Sequence, residues 1–244
     1  PAVVAAALPL LSLCAVLTAG MYVPIANLHL FAFEGDLIVI LFLLSIPTLA
    51  YYLAGITSVG IYSVLGGARS ILQYFSYEIP LLMALSGSAI LAGSWSIQGI
   101  VDAQLGSHPF ILFQPLAFLL AVIGLIGKLK RDPLDIPKAK SEVIAGSLTE
   151  FTGIKLAFWH TVMNIQTVVG IFLIINLFLR FGEIESGVLA VVMFFVKFLL
   201  LAILLSGVSA VFARLRIDQL SGLGWKVLSP LALAQLLVVI LMGV

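Results

Sequence analysis

Long apolar runs divide this chain into segments bounded by charged residues, Gly or Pro. A helix needs roughly 20 mostly apolar residues to cross about 30 Å of hydrocarbon, whereas a membrane β-barrel alternates apolar and polar residues along short strands. The runs here are continuously apolar, which favours helices that satisfy their own backbone. The pattern predicts seven spans, at 1–22, 37–56, 70–94, 109–128, 155–180, 187–212 and 226–244.

The composition supports a membrane protein, because 62% of the residues are hydrophobic and only 9% are charged, with a mean hydropathy of +1.25. No repeat, low-complexity tract or soluble domain interrupts the spans, so residues 1–244 are predicted to form a single all-α domain, a polytopic transmembrane helix bundle. The chain begins without Met, and residues 1–22 lack the basic start of a signal peptide. We expect this stretch to be a spanning helix of a chain whose first part is missing.

Basic residues are concentrated in alternate connections, although the net charge is only +1. The three basic connections hold Arg69, Lys128, Lys130, Arg131, Lys138, Lys140, Lys155, Arg214, Arg216 and Lys226. The opposite connections hold one base, Arg180. The positive-inside rule therefore places the basic loops in the cytoplasm. The opposite side is predicted to be a solvated acidic face, made by Glu34, Asp36, Asp102, Glu183 and Glu185.

Two charges stand out because they lie inside predicted spans, away from the span ends. Glu78 lies in the third span and Lys197 near the middle of the sixth. Charged groups at membrane depth are costly, and they commonly line ion paths or pair within the bundle. The alternatives are a protonated, hydrogen-bonded core acid and a lysine that snorkels to the interface. Pro80 frees the carbonyl of Ser76, which would let backbone polar groups line a cavity beside Glu78.

Arg69, Gln73 and Tyr77 follow one another at helical spacing and form a polar stripe on a different face from Glu78. The single cysteine, Cys14, provides neither a disulfide nor a cysteine-ligated cluster. The sequence contains no zinc-site spacing, phosphate-binding loop or nucleophile elbow. We therefore expect no cofactor in this chain and no bond-making step catalysed by it alone, and we predict that any redox centre belongs to a partner.

Three motifs carry a family resemblance. The first is "YSVLGGARSILQYFSYEIPL", with Arg69, Gln73, Ser76, Tyr77, Glu78 and Pro80 at family positions. The second is "RDPLDIPKAKSEVIAGSLTEFTG", through Arg131, Pro133, Asp135, Pro137, Ser141, Glu142, Gly146 and Glu150. The third is "RLRIDQLSGLGWKVLSPL", through Arg214, Arg216, Asp218, Gln219, Leu220, Gly224, Trp225 and Lys226. Together they resemble the H subunit of respiratory complex I, the membrane subunit that joins its redox arm to its membrane arm.

The resemblance implies a fold of eight spanning helices, of which the seven here would be the second to the eighth. It implies a multi-pass protein of a prokaryotic plasma membrane. Its partners would be soluble iron–sulfur and hydrogenase-large-subunit-like subunits on the cytoplasmic side, antiporter-like membrane subunits and lipid, but no nucleic acid. Iron–sulfur clusters, and NiFe in one branch, would lie in those partners. The implied ion-path residues are Glu78, Asp135, Glu142, Glu150 and Lys197. The implied interface and cavity residues are Arg69, Gln73, Tyr77, Arg131, Lys138, Lys140, Arg214, Arg216 and Asp218.

Several departures from the quinone-using members favour one branch of the family. Lys128, Lys138 and Lys140 stand where those members have acids, and Met163 replaces a further Glu. These losses favour the ferredoxin-dependent membrane-bound hydrogenases and sulfane reductases, which use no quinone. The alternative is the quinone-binding subunit of an NADH or other donor:quinone oxidoreductase.

The mixed-charge block 131–153 is interpreted as a docking surface for a soluble redox subunit and as the mouth of an ion path. Asp135 and Glu142 suit the start of a helix, and Glu142 and Glu150 are spaced to share one helical face. Three function classes remain open: a non-catalytic subunit of a redox-driven ion pump, a stand-alone secondary transporter, and a structural anchor. The ion moved, H⁺ or Na⁺, is open as well.

Overall fold

A computed structural model describes residues 2–26, 31–106, 109–139, 142–181 and 187–242. Within these residues the regular structure is helical and contains no β-strand, which confirms the predicted all-α bundle. In chain order the helices are α1 (Ala2–Tyr22), α2 (Asp36–Thr57), α3 (Ile61–Ala92), α4 (Ile97–Gly106), α5 (Phe110–Phe113), α6 (Pro115–Leu129), α7 (Gly153–Phe178), α8 (Gly187–Val211), α9 (Ile217–Leu223) and α10 (Ser229–Met242), with a 3₁₀ turn at Gly146–Leu148 and a π turn at Gly224–Leu228.

The predicted spans correspond to these helices. Five described stretches are long and apolar enough to cross a membrane: Asp36–Thr57, Ile61–Ala92, Gly153–Phe178, Gly187–Val211 and Ile217–Leu241. The first and fourth predicted spans contain the shorter apolar stretches Ala7–Tyr22 and Pro115–Leu129. The apolar pattern therefore locates the membrane-embedded segments, and the differences concern where helices begin, break and bend.

The structure departs from the predicted elements in five places. Helix α3 begins at Ile61, so Arg69 lies within it, and the short helix α4 has no counterpart among the predicted elements. The fourth span is broken at Gln114, because Pro115 occupies the first helical position of α6 and has no N–H to continue α5. The last span bends through the π turn. The block 131–152 is irregular apart from the 3₁₀ turn, so Glu142 and Glu150 do not share a helical face.

The carbonyl of Ser76, which Pro80 leaves without its usual partner in α3, contacts the C-terminal part of the chain. It lies against Gly224 at the π turn, where an added Cβ would collide with it. Because Gly224 has no side chain, the π turn can pack directly on the part of α3 around Ser76 and Pro80.

Helices α2 and α3 cross at glycines. A Cβ on Gly55 would lie 2.7 Å from the Cα of Gly67 and 2.7 Å from the Ser147 hydroxyl. A Cβ on Gly66 would lie 2.7 Å from the amide nitrogen of Ser147. Small residues allow helix backbones to approach closely in a membrane. This glycine seam (Gly55, Gly66 and Gly67) holds the 3₁₀ turn against both helices. The turn belongs to the irregular block 131–152, which we call the loop block.

Asp36 departs from the solvated acidic face that was predicted at the other end of the bundle, whereas Glu34 and Asp102 are exposed there as predicted. Asp36 is buried, with only 1% of its surface exposed, and its carboxylate accepts a hydrogen bond of 2.7 Å from the Ile97 amide at the start of α4. Arg180 is also buried there and donates to the Ala26 carbonyl. Asp36 is therefore a structural link between α2 and α4. Glu183 and Glu185 lie outside the described residues.

We predict that Gly55→Ala destabilises the protein, because the new methyl group would overlap backbone atoms of α3 that cannot move without separating the helices. Overpacking of this kind costs about 1–3 kcal/mol. Gly207→Ala in α8 is the matched control, since nothing lies within 4 Å of its added Cβ. Thermal unfolding in detergent should show a lowered midpoint for Gly55→Ala alone. Equal midpoints for the two variants would contradict the tight crossing.

Candidate functional site: a charged loop block above a buried ion pair

Three connections meet at one end of the bundle, which we call the basic end. They are the α2–α3 turn, the loop block and the chain around 212–218. Arg69 on α3 forms an ion pair with Glu142, and Arg214 lies 3.8 Å from the same carboxylate. Glu150 accepts hydrogen bonds from the backbone amides of Val59 and Gly60 at the start of α3. Anions are favoured at a helix N-terminus. Both acids therefore anchor the loop block to α3.

A charged recess of about 180 Å³ lies over this contact. Arg216 and Asp218 line it from the start of α9, together with Arg69, Glu142 and Arg214. The hydrogen bond from Arg69 lowers the pKa of Glu142 below its ordinary value, and Arg214 and Arg216 add to the effect. The third motif of the sequence thus meets the first two at one surface.

A second cavity at the basic end has a volume of about 690 Å³. It lies between the loop block and the first turns of α3 and α7. Water or an amphipathic molecule can be accommodated in a cavity of this size and lining. Its polar wall carries Asp135, Lys138, Glu150 and His160, and its apolar wall is formed by Tyr62, Ile144, Leu148, Phe151 and Leu156.

Two titratable groups in this cavity are perturbed. Burial raises the pKa of Asp135 from 3.8 to about 6, an effect opposed by Lys138 and reinforced by Asp132. Burial lowers the pKa of Lys138 from 10.5 to about 8, and Asp135 opposes that change. The ammonium of Lys138 lies 2.7 Å from the sulfur of Met163 on α7. Both groups can exchange protons close to neutral pH, as proton-transferring sites require.

Deeper in the bundle, Glu78 is paired with Lys128. The ammonium nitrogen lies 2.7 Å from Oε1 of Glu78, and the exposed fractions of the two side chains are 2% for Lys128 and 5% for Glu78. Ser45 on α2 completes the cluster, because its hydroxyl donates to the same carboxylate oxygen at 2.5 Å and lies 3.3 Å from Lys128. Lys128 had been assigned to a loop, but it lies in the last turn of α6. A third helix thus supplies the cation for Glu78.

The close approach of α6 to α3 explains this pairing. A Cβ on Gly124 would lie 2.9 Å from Leu81, and one on Gly127 would lie 2.9 Å from the ring of Tyr77. Gln73 donates to the carbonyls of Gly127 and Leu134 at 2.8 and 2.7 Å. The polar stripe of α3 therefore fixes the end of α6, and the ion pair forms where the two helices are closest.

Glu78 also lines a groove of about 530 Å³ between α2 and α3, whose other walls are mostly apolar. Phe42, Leu82 and Trp95 are among its lining residues. The carboxylate lies between the Lys128 ammonium and this groove, so its environment is asymmetric. The described residues around Glu78 place one cation beside it, from α6.

The remaining residues that were predicted for the site lie apart from one another in the structure. Lys197 is buried at the other end of the bundle, where it donates to the Phe181 carbonyl at 2.7 Å and lies 4.9 Å from the ring of that residue. Arg131 is exposed next to Thr167, and Tyr77 is buried 3.4 Å from the Thr48 hydroxyl. Lys140 lies outside the described residues. Lys197 is therefore placed far from the loop block that carries Asp135, Glu142 and Glu150.

Sequence reasoning missed Ser45, Lys130 and Tyr51. Lys130 caps α6, is 6% exposed, and its ammonium lies 4.6 Å from the centre of the Tyr51 ring. Tyr51 in turn contacts Trp159 of α7, with ring centres 5.8 Å apart. The pair of lysines at 128 and 130 was the sequence signal that could have indicated this part of the site. Both were assigned to a loop only because they stand at the end of an apolar run.

Among the described residues, no three His, Cys, Asp or Glu side chains come together as a metal site would need. The fold and the site define a class of protein: a polytopic helical membrane protein with ionisable groups at bundle depth and a charged loop surface at one end. A protein-family model described as NADH dehydrogenase matches residues 2–240 of this chain. The chain belongs to this family, which confirms the resemblance to the H subunit of complex I.

Two curated relatives are H subunits of NADH-quinone oxidoreductases. The protein of Dehalococcoides mccartyi is 37% identical over 195 residues, and the match covers 80% of this chain and 54% of that protein. An H subunit of Syntrophobacter fumaroxidans, the second of that name, is 38% identical over 244 residues, covering 98% of this chain and 72% of its own length. The chain thus spans little more than half the length of the first relative.

A solved structure with the same fold is the membrane-bound sulfane sulfur reductase, described as an archaeal respiratory membrane complex. A chain of that complex superposes with a TM-score of 0.88 at 25% identity, over 97% of this chain and 79% of the other. The family and this fold make the chain a polytopic helical membrane protein of the H-subunit type.

We predict that Glu78→Gln and Lys128→Met each lower the free energy of unfolding by about 3–5 kcal/mol, because each leaves one buried charge without its partner. The double variant should be less destabilised than the sum of the two, since no unpaired charge remains. Unfolding by SDS in mixed micelles measures all three. Glu34→Gln, on an exposed acid, is the control. Additive losses would show that the two groups do not interact.

We predict that Asp135→Asn raises stability at neutral pH relative to the native chain, but not at acidic pH. The folded pKa of about 6 exceeds the ordinary value of 3.8, so Asp135 favours folding below about pH 4 and loses that contribution as the pH rises through 6. Lys130, Lys138, Asp132 and Arg214 act on this group. Thermal midpoints measured from pH 4 to 8 should diverge as the pH rises, and a constant difference would contradict the raised pKa.

Proposed function

We propose that this chain is the arm-joining membrane subunit of a ferredoxin-dependent, ion-translocating oxidoreductase complex of the sulfane reductase or membrane-bound hydrogenase type. It anchors a peripheral iron–sulfur arm on the charged surface of the basic end and couples electron transfer there to movement of H⁺ or Na⁺ through the membrane arm. In this proposal the chain holds no cofactor, and the basic end faces the cytoplasm of a prokaryotic cell.

The observation that carries the proposal is the pairing of Glu78 with Lys128. Lys128 stands at a position that resembles an acid position of the quinone-using branch. In that branch a cluster of carboxylates would stand where this chain has an ion pair with no net charge. Lys138 likewise contacts Met163, and both stand at family acid positions. The acid chain expected around a quinone chamber is thus replaced by paired and neutral contacts, and the likeness to the sulfane reductase complex adds support.

The surface at the basic end suits a soluble partner. The small recess is lined by charged residues of both signs: Arg69, Arg214, Arg216, Glu142 and Asp218. Arg131 is exposed beside Thr167. Mixed charges of this kind guide a partner into one orientation more than they add affinity. Topology alone would require basic residues but no acids in these loops.

A quinone-reducing complex is the second candidate. The cavity of about 690 Å³ has a polar wall with Asp135 and His160 and an apolar wall that could hold an isoprenoid tail. The curated relatives are named as NADH-quinone oxidoreductase subunits. Under this alternative the cavity would receive the quinone headgroup, whereas under the favoured proposal it would hold water at the mouth of the ion path.

We predict that the complex purified through a tag on this chain oxidises reduced ferredoxin with protons or a sulfane-sulfur compound as acceptor. Each acceptor is offered to the complex in a separate reaction, and one reaction contains an artificial quinone. Hydrogen or sulfide should form, but the quinone should not be reduced to quinol. Gas and sulfide measurements, with absorption spectroscopy of the quinone, distinguish the acceptors. The same preparation without ferredoxin is the control. Formation of quinol with neither hydrogen nor sulfide would overturn the favoured branch and support the second candidate.

A further inference from the structure

Three guanidinium groups line the charged recess at the basic end, those of Arg69, Arg214 and Arg216. Two carboxylates, Glu142 and Asp218, line it as well. Arginine remains protonated in proteins, and Glu142 is ionised at neutral pH because its contact with Arg69 lowers its pKa. With Asp218 ionised, the walls of the recess still carry a surplus of one positive charge.

Arg214 is poorly satisfied by the chain itself. It donates to the Ile136 carbonyl at 3.4 Å and lies 3.8 Å from a Glu142 oxygen, and both distances are long for a hydrogen bond. Its buried Nε atom has no hydrogen-bond partner among the described residues. Only 25% of its side chain is exposed, so bulk water reaches this charged group only in part. An acceptor that takes two of its hydrogens at once would stabilise it.

The two acids of the recess do not supply that acceptor. Glu142 is held by Arg69 and anchors the loop block. Asp218 is exposed at the start of α9, and the ion pairs of the described residues do not include it. A further acceptor must therefore come from outside the recess walls.

The size of the recess restricts what can enter. Its volume of about 180 Å³ has room for roughly six water molecules at about 30 Å³ each. Pockets for drug-sized molecules measure about 300–1,000 Å³. The recess therefore suits the carboxylate end of a side chain better than an isoprenoid or a lipid. Ile136 and Ile217 also line it, and they would shield an ion pair from water and so strengthen it.

We propose that an aspartate or glutamate side chain of the soluble arm enters this recess and pairs with Arg214 and Arg216. The inference rests on the proposed function and names the contact that fixes the orientation of the arm. A guanidinium fork matches a carboxylate through two parallel N–H···O bonds, in which the nitrogens donate. The entering charge balances the positive surplus of the recess. Because Arg214 also lies beside Glu142, the partner is held next to the loop block.

The test places a reactive amine in the recess. Arg214→Lys keeps the positive charge but presents a primary amine, which a carbodiimide joins to a carboxylate in direct contact. The amide bond forms with loss of water, and the carbodiimide takes up that water as a urea. The assembled complex is purified through this chain, cross-linked and digested, and linked peptides are identified by mass spectrometry. We expect position 214 of the variant to be linked to one Asp or Glu of the soluble arm.

Two controls accompany the cross-linking. The native complex should give no link at position 214, because a guanidinium does not form this amide. Lys155 is exposed at the start of α7 and does not line the recess, so it should not be linked to the same acid. If Arg214→Lys is not assembled, Arg216→Lys provides the same comparison. Links to Glu142 or Asp218 alone, links only to another membrane subunit, or no link in any assembled variant would overturn the proposal.

Rebinding of the detached soluble arm to stripped membranes gives a second measurement. Arg216 is exposed, and Arg216→Glu reverses one charge of the recess while the pair of Arg69 with Glu142 remains. Loss of a close charge pair at an interface should weaken rebinding at least about 30-fold. Lys155→Glu makes the same change in net charge outside the recess and should weaken rebinding less than about threefold. Equal losses would mean that only net charge matters, and they would contradict the recess contact.

The native complex separates this inference from the proposed function. If no iron–sulfur arm is recovered with the native chain, the proposed anchoring fails and the recess contact fails with it. If the arm is recovered and is bound equally well by Arg216→Glu, the recess contact alone is wrong.

Discussion

The ion pair between Glu78 and Lys128 is the contact on which the arrangement of the bundle depends. Two opposite charges inside a membrane protein are tolerated only when they meet at short distance and share further hydrogen bonds. Here α3 supplies the acid, α6 the base and α2 the Ser45 hydroxyl, so one cluster fixes three helices. The glycines at 124 and 127 and the two hydrogen bonds of Gln73 bring α6 close enough for the pair to form.

The loop block at the basic end depends on the same helices. Arg69 and the start of α3 hold Glu142 and Glu150, and the glycine seam gives the 3₁₀ turn a place against α2 and α3. The block is therefore an ordered surface although it has little regular secondary structure. Some of its charged residues hold the block in place, and others line the recess or the cavity. Asp135 and Lys138 line the cavity, and burial shifts the pKa of each towards neutral pH.

Much of this fold could be predicted from the sequence, because apolar runs of membrane length can only be helices. The family motifs also located Glu78 and the loop block. The partner of Glu78 could not be predicted, because Lys128 follows an apolar run and its burial depends on how α6 packs against α3. The helix expected after Pro137 failed for a similar reason: Glu142 and Glu150 suit a helix start locally, but their ion pair and capping contacts with α3 determine an irregular path. Asp36 was misassigned because its partner, the Ile97 amide, is remote in sequence.

The glycine seam has a consequence for how such a protein can diverge. Side-chain atoms are excluded at Gly55, Gly66 and Gly67 by backbone contacts, so the crossing of α2 and α3 does not depend on any ionisable group. Charges placed above and beside it can then change sign without altering the helix crossing. The scaffold and the chemistry it carries are thus separate targets of mutation.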